Sequence, residues 1–166
     1  MSELVIHPIE PVFDENSRIL ILGTMPSPKS REAMFYYAHP QNRFWRVMFS
    51  LFDEEFSTDT EKRRQLCIDH GIALWDVVKS CEIEGAADSS IKNAEPNDLE
   101  RILERADIKA IFTTGKTAEK LYKKLCQPKT RIPAIVLPSP SGANCAVSFD
   151  KLLQSYRAIL PFLKQQ

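Results

Sequence analysis

A chain of 166 residues with 43% hydrophobic side chains can bury one sizeable core, and no shift of composition marks a second unit, so residues 1–166 are expected to form one domain. Its 22 basic and 22 acidic side chains cancel, which excludes a protein that holds polyanions over its whole surface; any contact with phosphate must use cations gathered in one place. No apolar run reaches the roughly 18 residues of a membrane span, and Met1–Pro8 lacks a signal peptide's charged start and apolar centre, so no membrane is expected. Cys67, Cys81, Cys126 and Cys145 form no CxxC pair, which leaves zinc and iron–sulfur clusters unsupported and predicts free, mostly buried thiols. The expectation is a soluble, cytoplasmic monomer with no metal and no other cofactor.

In chain order, Arg18 to Gly23 is a short apolar run ending in Gly and followed by Thr24-Met25-Pro26-Ser27-Pro28, the pattern of a buried strand emptying into a loop. Next, Tyr37-Ala38-His39-Pro40-Gln41-Asn42-Arg43-Phe44-Trp45 gathers aromatics, an amide and a cation about one Pro turn, a mix suited to holding a flat polar ring. Phe44, Trp45, Met48 and Phe49 recur at helical spacing, which predicts a helix from about Gln41 to Phe52 with Asn42 in its first turn. A helix from about Thr60 to His70 leads to the apolar run Ile72 to Val78 and then to a loop, Glu84 to Ser90. Pro96 and Asp98 open a predicted helix to Arg105, Ala110 to Thr113 reads as a strand, and Thr117 to Leu125 as a helix. Ala134 to Leu137 is a last strand, emptying into Pro138-Ser139-Pro140-Ser141-Gly142-Ala143-Asn144, and Ser148 caps a closing helix to Leu163. Alternating strands and helices predict an α/β fold of three layers, α-β-α, with a central, mainly parallel sheet and helices on both faces. The exits after Gly23 and Leu137 then meet at one sheet edge and make a cleft.

Other chemistries fit poorly. Gly115-Lys116-Thr117 follows a strand and opens a helix, but a phosphate-binding loop needs Gly five residues earlier, where Ala110 stands. No Gly-x-Ser-x-Gly elbow is present, and His7, His39 and His70 have no partner that spacing reveals. The cations that could gather are Lys29, Arg31, Arg43, Arg46, Lys116 and Lys120; mixed-charge helices also send such residues outward by default.

The loop after Gly23, the segment around Asn42 and the loop after Leu137 together resemble the uracil-DNA glycosylase superfamily. They are similar to the mismatch-specific uracil-DNA glycosylases, which carry Gly-x-Asn-Pro-Gly, then Phe-Ala-His-Pro-x-Asn-Arg-Phe-Trp, then Leu-Pro-Asn-Pro-Ser-Gly. The resemblance runs from about Arg18 to Leu160, and the three linked motifs are far more specific than any one of them. Two positions depart. Met25 stands where that branch has its catalytic Asn, and a thioether cannot hold a water with useful strength. Leu137 stands where other branches place a His that stabilises the departing base. The branch that also lacks the first Asn, and that this chain looks most like, is the hypoxanthine-DNA glycosylase family; the residue matching its catalytic Asn is Asn42.

The resemblance implies a monofunctional DNA glycosylase of base excision repair that acts on damaged DNA, duplex or single-stranded. It would flip out a deaminated base, chiefly hypoxanthine, and hydrolyse the N-glycosidic bond with a water held by Asn42. Gly23, Thr24, Met25 and Pro26 would shape the pocket, Tyr37 would stack on the base, and Asp76 would read its Watson–Crick edge. Asp88 and Ser89 are weaker candidates for the same pocket. Ser139, Ser141, Gly142, Ala143 and Asn144 would wedge into the DNA, with Lys116 and Arg43 on phosphates. Plainer roles stand beside these: Asn42 as a helix cap, Tyr37 as core and Asp76 as a strand-end cap. Two alternatives remain open, a uracil or mismatch glycosylase of the same fold, and a module that binds lesions without cutting. Strand cleavage through a Schiff base is not expected, although Lys79 could be tested for it.

Overall fold

The structure, a computed structural model, describes residues 2–163. Four strands, β2 (Ile19–Gly23), β3 (Ile72–Asp76), β6 (Ala110–Thr114) and β7 (Ala134–Leu137), form an all-parallel sheet in the order β3-β2-β6-β7. Every residue of β2, β3 and β6 is buried, as expected for parallel strands covered on both faces, and their sequences accordingly run apolar rather than alternating until Asp76 ends β3 and Thr113 and Thr114 end β6. The outer strand β7 exposes Ile135 and Val136.

The chain leaves β2 outward to β3 and later runs from β6 outward to β7 in the opposite direction. Right-handed crossovers therefore put α1 (Pro28–Ala33), α2 (Phe44–Leu51) and α3 (Thr60–His70) on one face and α5 (Lys116–Leu125) and α6 (Gln127–Thr130) on the other. This is the layered α/β arrangement read from the sequence. The crossovers diverge between β2 and β6, so the carboxyl ends of those two strands flank the natural crevice of the sheet.

A second, antiparallel sheet was not foreseen. It pairs β1 (Glu3–Ile6), β4 (Val78–Ile83) and β5 (Lys92–Pro96) in the order β1-β4-β5. The apolar run Ile72 to Val78 is thus not one strand. At Val77 the backbone bonds Gly23 O, and Val78 N–H bonds Thr24 O, so the chain follows the exit of β2 and passes into the other sheet.

Three helix expectations are corrected. The helix expected from Gln41 begins at Phe44, because Asn42 Oδ1 accepts the Phe44 N–H and the Arg43 N–H is bonded to Pro140 O, which holds residues 41–43 in a turn. Pro96 ends β5 instead of opening a helix, and only one turn, α4 (Glu100–Leu103), follows; Asn97, buried between them, bonds the carbonyls of Asp76 and Val78. The closing helix keeps its Ser148 cap as α7 (Phe149–Tyr156) but tightens to a 3-10 helix over Arg157–Phe162, where Pro161 has no N–H to give.

One hydrophobic cluster runs through both sheets, from Val5 and Cys81 to Leu20, Phe112 and Tyr156. Trp45 is sealed in it, and its indole N–H donates to Tyr36 O at 2.8 Å. That bond fixes the start of α2 against the turn that carries Tyr37. Cys67, Cys81 and Cys126 are buried free thiols and Cys145 is exposed. Among the described residues no helix is long and apolar enough to cross a membrane.

Candidate active site

The carboxyl ends of β2, β3 and β6 open into a cleft of about 420 Å³, in the size range of pockets that hold small ligands. Its floor is the end of β2. A Cβ on Gly23 would lie 2.5 Å from Asp76 Oδ1 and 3.3 Å from Tyr37 Oη, so glycine is required there by the close approach of two side chains from distant segments. Thr24, Met25 and Pro26 continue the wall, with Met25 almost fully buried.

Tyr37 sits at a positive φ of 54°, which turns its ring back over α2. There it stacks on Phe44, with centroids 3.9 Å apart and planes at 16°, and its hydroxyl lies 3.3 Å from Thr114 Oγ1 at the end of β6. Burial, and next the Asp76 charge, push its phenol far above the ordinary value, so the ring remains neutral. One face of the ring is committed to Phe44; the rest borders the cleft.

Asn42 also lines the cleft. Its Oδ1 accepts the Phe44 N–H at 2.9 Å, an i,i+2 turn bond just before α2, whose N-cap position is Arg43; a carbonyl oxygen has a second lone pair, and Nδ2 has no hydrogen-bond partner among the described residues. Closing this turn and holding a ligand are compatible in one amide.

Asp76, the last residue of β3, is buried at the back of the cleft. His7 Nε2 lies 2.7 Å from its Oδ2, with both side chains nearly sealed, at 2% and 5% exposed. The Ile9 N–H donates to His7 Nδ1 at 3.2 Å, which makes Nδ1 an acceptor and leaves the proton on Nε2, aimed at the carboxylate. Asp88 also lines the cleft, and its carboxyl is pushed above the usual carboxylate range, first by desolvation and also by the Asp76 charge, against a lowering hydrogen bond with Thr24.

The loop after β7 forms the remaining wall through Ser139, Pro140, Ser141, Gly142 and Ala143. Gly142 packs so closely on Gln41 that a Cβ would come 2.9 Å from Gln41 Cβ and 3.0 Å from its carbonyl oxygen. Asn144 turns inward to bond Ser139 O at 3.0 Å, and the Arg43 guanidinium donates to Val147 O at 2.6 Å and Asn144 O at 3.0 Å. In this structure Arg43 therefore ties the loop to the segment bearing Asn42. Lys116 is exposed at the start of α5 and neither it nor Lys79, also exposed, lines the cleft. Of the remaining cations, Arg31 donates to Pro26 O at 2.9 Å and Arg46 lies over the Phe56 ring at 4.3 Å.

The cleft thus gathers Gly23, Thr24, Met25, Pro26, Tyr37, Asn42, Asp76, Ser139, Ser141, Gly142 and Ala143, whereas Arg43, Asn144 and Lys116 lie outside its lining. Sequence reasoning missed His7 and Thr114. Sixty-nine residues separate His7 from Asp76, and no spacing rule joins them.

The strand-end cleft thus carries an aromatic ring, an amide and a buried carboxylate on its walls, beside a Ser/Gly loop. The chain matches the family model described as Uracil DNA glycosylase superfamily over residues 10–164, and it belongs to that superfamily. A protein named Hypoxanthine DNA glycosylase from Methanosarcina barkeri (strain Fusaro / DSM 804) is 36% identical over 136 residues, covering 81% of this chain and 85% of that protein. Its namesake from Methanosarcina acetivorans is 36% identical over 135 residues, covering 80% and 84%. A solution NMR structure of a candidate uracil DNA glycosylase from Methanosarcina acetivorans superposes with a TM-score of 0.78 at 32% identity, over 95% of this chain and 97% of that one.

Proposed function

We propose that this protein is a monofunctional DNA glycosylase that takes a deaminated base, chiefly hypoxanthine, out of the DNA stack and hydrolyses its N-glycosidic bond. The observation that carries the reading is the presence of Asn42 and Asp76 in one cleft whose first loop offers only the thioether of Met25 where an amide would be needed. The names of the two Methanosarcina relatives support hypoxanthine as the base.

The reaction needs a water at C1′ and a stabilised leaving base. The water oxygen bonds C1′ and the C1′–N9 electron pair departs with the purine. One water proton passes to solvent, and the departing base takes one up. Asn42 orients that water through the free lone pair of Oδ1; an amide is too weak a base to deprotonate it, so the gain comes from placement. Tyr37 borders the flipped base, and stacking of this kind contributes about 1–3 kcal/mol against the cost of unstacking. The carboxylate of Asp76 accepts the N1–H of hypoxanthine and repels the bare N1 of adenine. Ser141, Gly142 and Ala143 fill the space the base leaves, held in position by Arg43 and Asn144. With no lysine among the cleft-lining residues, the product is an intact strand bearing an abasic site.

Uracil as the main substrate has one point in its favour, the description of the solution structure. Met25 and Leu137, both buried, speak against it.

The test is base release from duplex oligonucleotides carrying deoxyinosine, deoxyuridine or a G·T mismatch, with alkali to reveal abasic sites. Alkali-dependent breaks at deoxyinosine are expected, falling by about 10²-fold or more in Asn42→Ala. Because Asn42 Oδ1 also holds the Phe44 N–H at the start of α2, Asn42→Ala is expected to cost about 0.5–1.5 kcal/mol of stability. Asn42→Ser keeps an accepting oxygen but not the reach of the amide, and is expected to regain stability without activity. Release that survives Asn42→Ala would move the catalytic role elsewhere, and bound lesion DNA with no release from any substrate would leave a recognition module.

A further inference from the structure

An acceptor that selects N1–H solves one discrimination and creates another. Adenine has no N1–H, but guanine has one, with a 2-amino donor beside it. A free carboxylate accepts both at once, one on each oxygen, and would therefore prefer guanine, the normal base, to hypoxanthine, which lacks the amino group.

Asp76 is not a free carboxylate. Its Oδ2 accepts the Nε2–H of His7 at 2.7 Å, and the Ile9 N–H on Nδ1 fixes the tautomer that makes this donation. Oδ1 has no hydrogen-bond partner among the described residues, yet it is absent from the sealed, unpartnered polar atoms, which are Arg43 Nε, Trp75 Nε1, Thr113 Oγ1 and Gln127 Oε1. Oδ1 thus keeps contact with solvent on the Gly23 side, where the cleft lies.

We propose that His7 is a specificity-determining residue which, by holding Oδ2 of Asp76 turned toward its ring and away from the cleft, leaves a single acceptor facing the base and so excludes guanine from a pocket that takes hypoxanthine. His7 is not among the residues that line the cleft, so the oxygen it holds at 2.7 Å is turned away from the base, and the 2-amino group of guanine finds no acceptor in reach and loses its bonds to water without replacement. Hypoxanthine has only a C–H at that position and loses nothing. His7 acts through Asp76 and is a positioning residue. The inference rests on the reading of Asp76 as the group that recognises the base edge.

The test measures two readouts on wild type, His7→Phe and His7→Gln. One is base release from duplexes carrying deoxyinosine or only normal bases, scored at dG and dA. The other is binding of free hypoxanthine, guanine and 1-methylhypoxanthine, followed by NMR titration and independent of catalysis. Wild type is expected to bind hypoxanthine over guanine by about tenfold or more and to lose affinity for 1-methylhypoxanthine. His7→Phe keeps an aromatic ring beside Tyr36 but frees Oδ2, and is expected to shift the guanine-to-hypoxanthine affinity ratio toward guanine by about tenfold or more. Its release at dG should rise relative to dA. His7→Gln restores a neutral donor and is expected to return both ratios toward wild type, which a purely structural role would not require. An unchanged ratio in folded His7→Phe overturns the inference. If that variant does not fold, wild-type protein that binds guanine as well as hypoxanthine overturns it without a variant. Should 1-methylhypoxanthine bind wild type as well as hypoxanthine does, the failure lies in the reading of Asp76; should N1–H matter while the guanine ratio ignores His7, it lies in the His7 inference alone.

Discussion

Two histidine–carboxylate pairs in this chain have almost the same length and opposite surroundings. His7 Nε2 and Asp76 Oδ2 are 2.7 Å apart with side chains 2% and 5% exposed, whereas His70 Nε2 and Glu54 Oε2 are 2.6 Å apart at 30% and 43%. His70 closes α3 and stacks on Phe52 with ring centroids 3.8 Å apart, a surface arrangement in which water and salt screen the pair. His7 and Asp76 have no such relief, so the loss of either partner leaves an uncompensated buried group. Distance alone would rank the two pairs together. Burial, and the access of the second carboxylate oxygen to a cleft, set the first pair apart from a surface contact.

The contrast is broken most strongly from the sheet. Gly23→Ala drives a methyl to 2.5 Å from Asp76 Oδ1, and overpacking of this kind is expected to cost about 1–3 kcal/mol in urea unfolding and to abolish hypoxanthine release. Full activity at unchanged stability would mean that the Asp76 side chain moves freely, and the fixed acceptor would be lost as an explanation. Asp76→Asn is gentler, because an amide oxygen still accepts from His7; a stability loss of about 1 kcal/mol is expected. Its main effect should be on choice of base, since the amide can now donate to N1 of adenine, and the ratio of hypoxanthine to adenine release should fall. Unchanged selectivity would remove Asp76 from the reading role. Glu54→Gln is expected to change stability by only about 0–1 kcal/mol and to leave base choice untouched. A large effect there would undo the distinction drawn between the two pairs.

Much of the cleft is legible in the sequence, for a local reason. Gly23 to Pro26, Tyr37 to Asn42, and Ser139 to Ala143 are each short contiguous segments at the end of a strand or the start of a helix, and their composition announces a turn. Since parallel strands empty at the same edge, two such loops had to meet. Arg43 shows where composition misleads: a cation beside a Ser/Gly loop reads as a phosphate ligand, but in this structure its guanidinium bonds the carbonyls of Asn144 and Val147. The antiparallel sheet was missed because β5 is polar, with no buried residue to mark it, and because the apolar run through Val77 continues across a boundary that only hydrogen bonds to Gly23 and Thr24 define.

The sequence by itself determined the parallel sheet, through unbroken apolar strands buried on both faces, and the family, through three linked motifs. It also determined that Met25 could not hold a water, since side-chain chemistry does not depend on fold. Only the tertiary structure decided that Asp76 is half occupied. That fact depends on β1 pairing with β4, which carries the chain on to His7 beside the end of β3, and a contact across sixty-nine residues leaves no periodicity for a sequence to show. The same holds for Gly23, whose requirement comes from the side chains of Asp76 and Tyr37 converging on it from elsewhere in the chain.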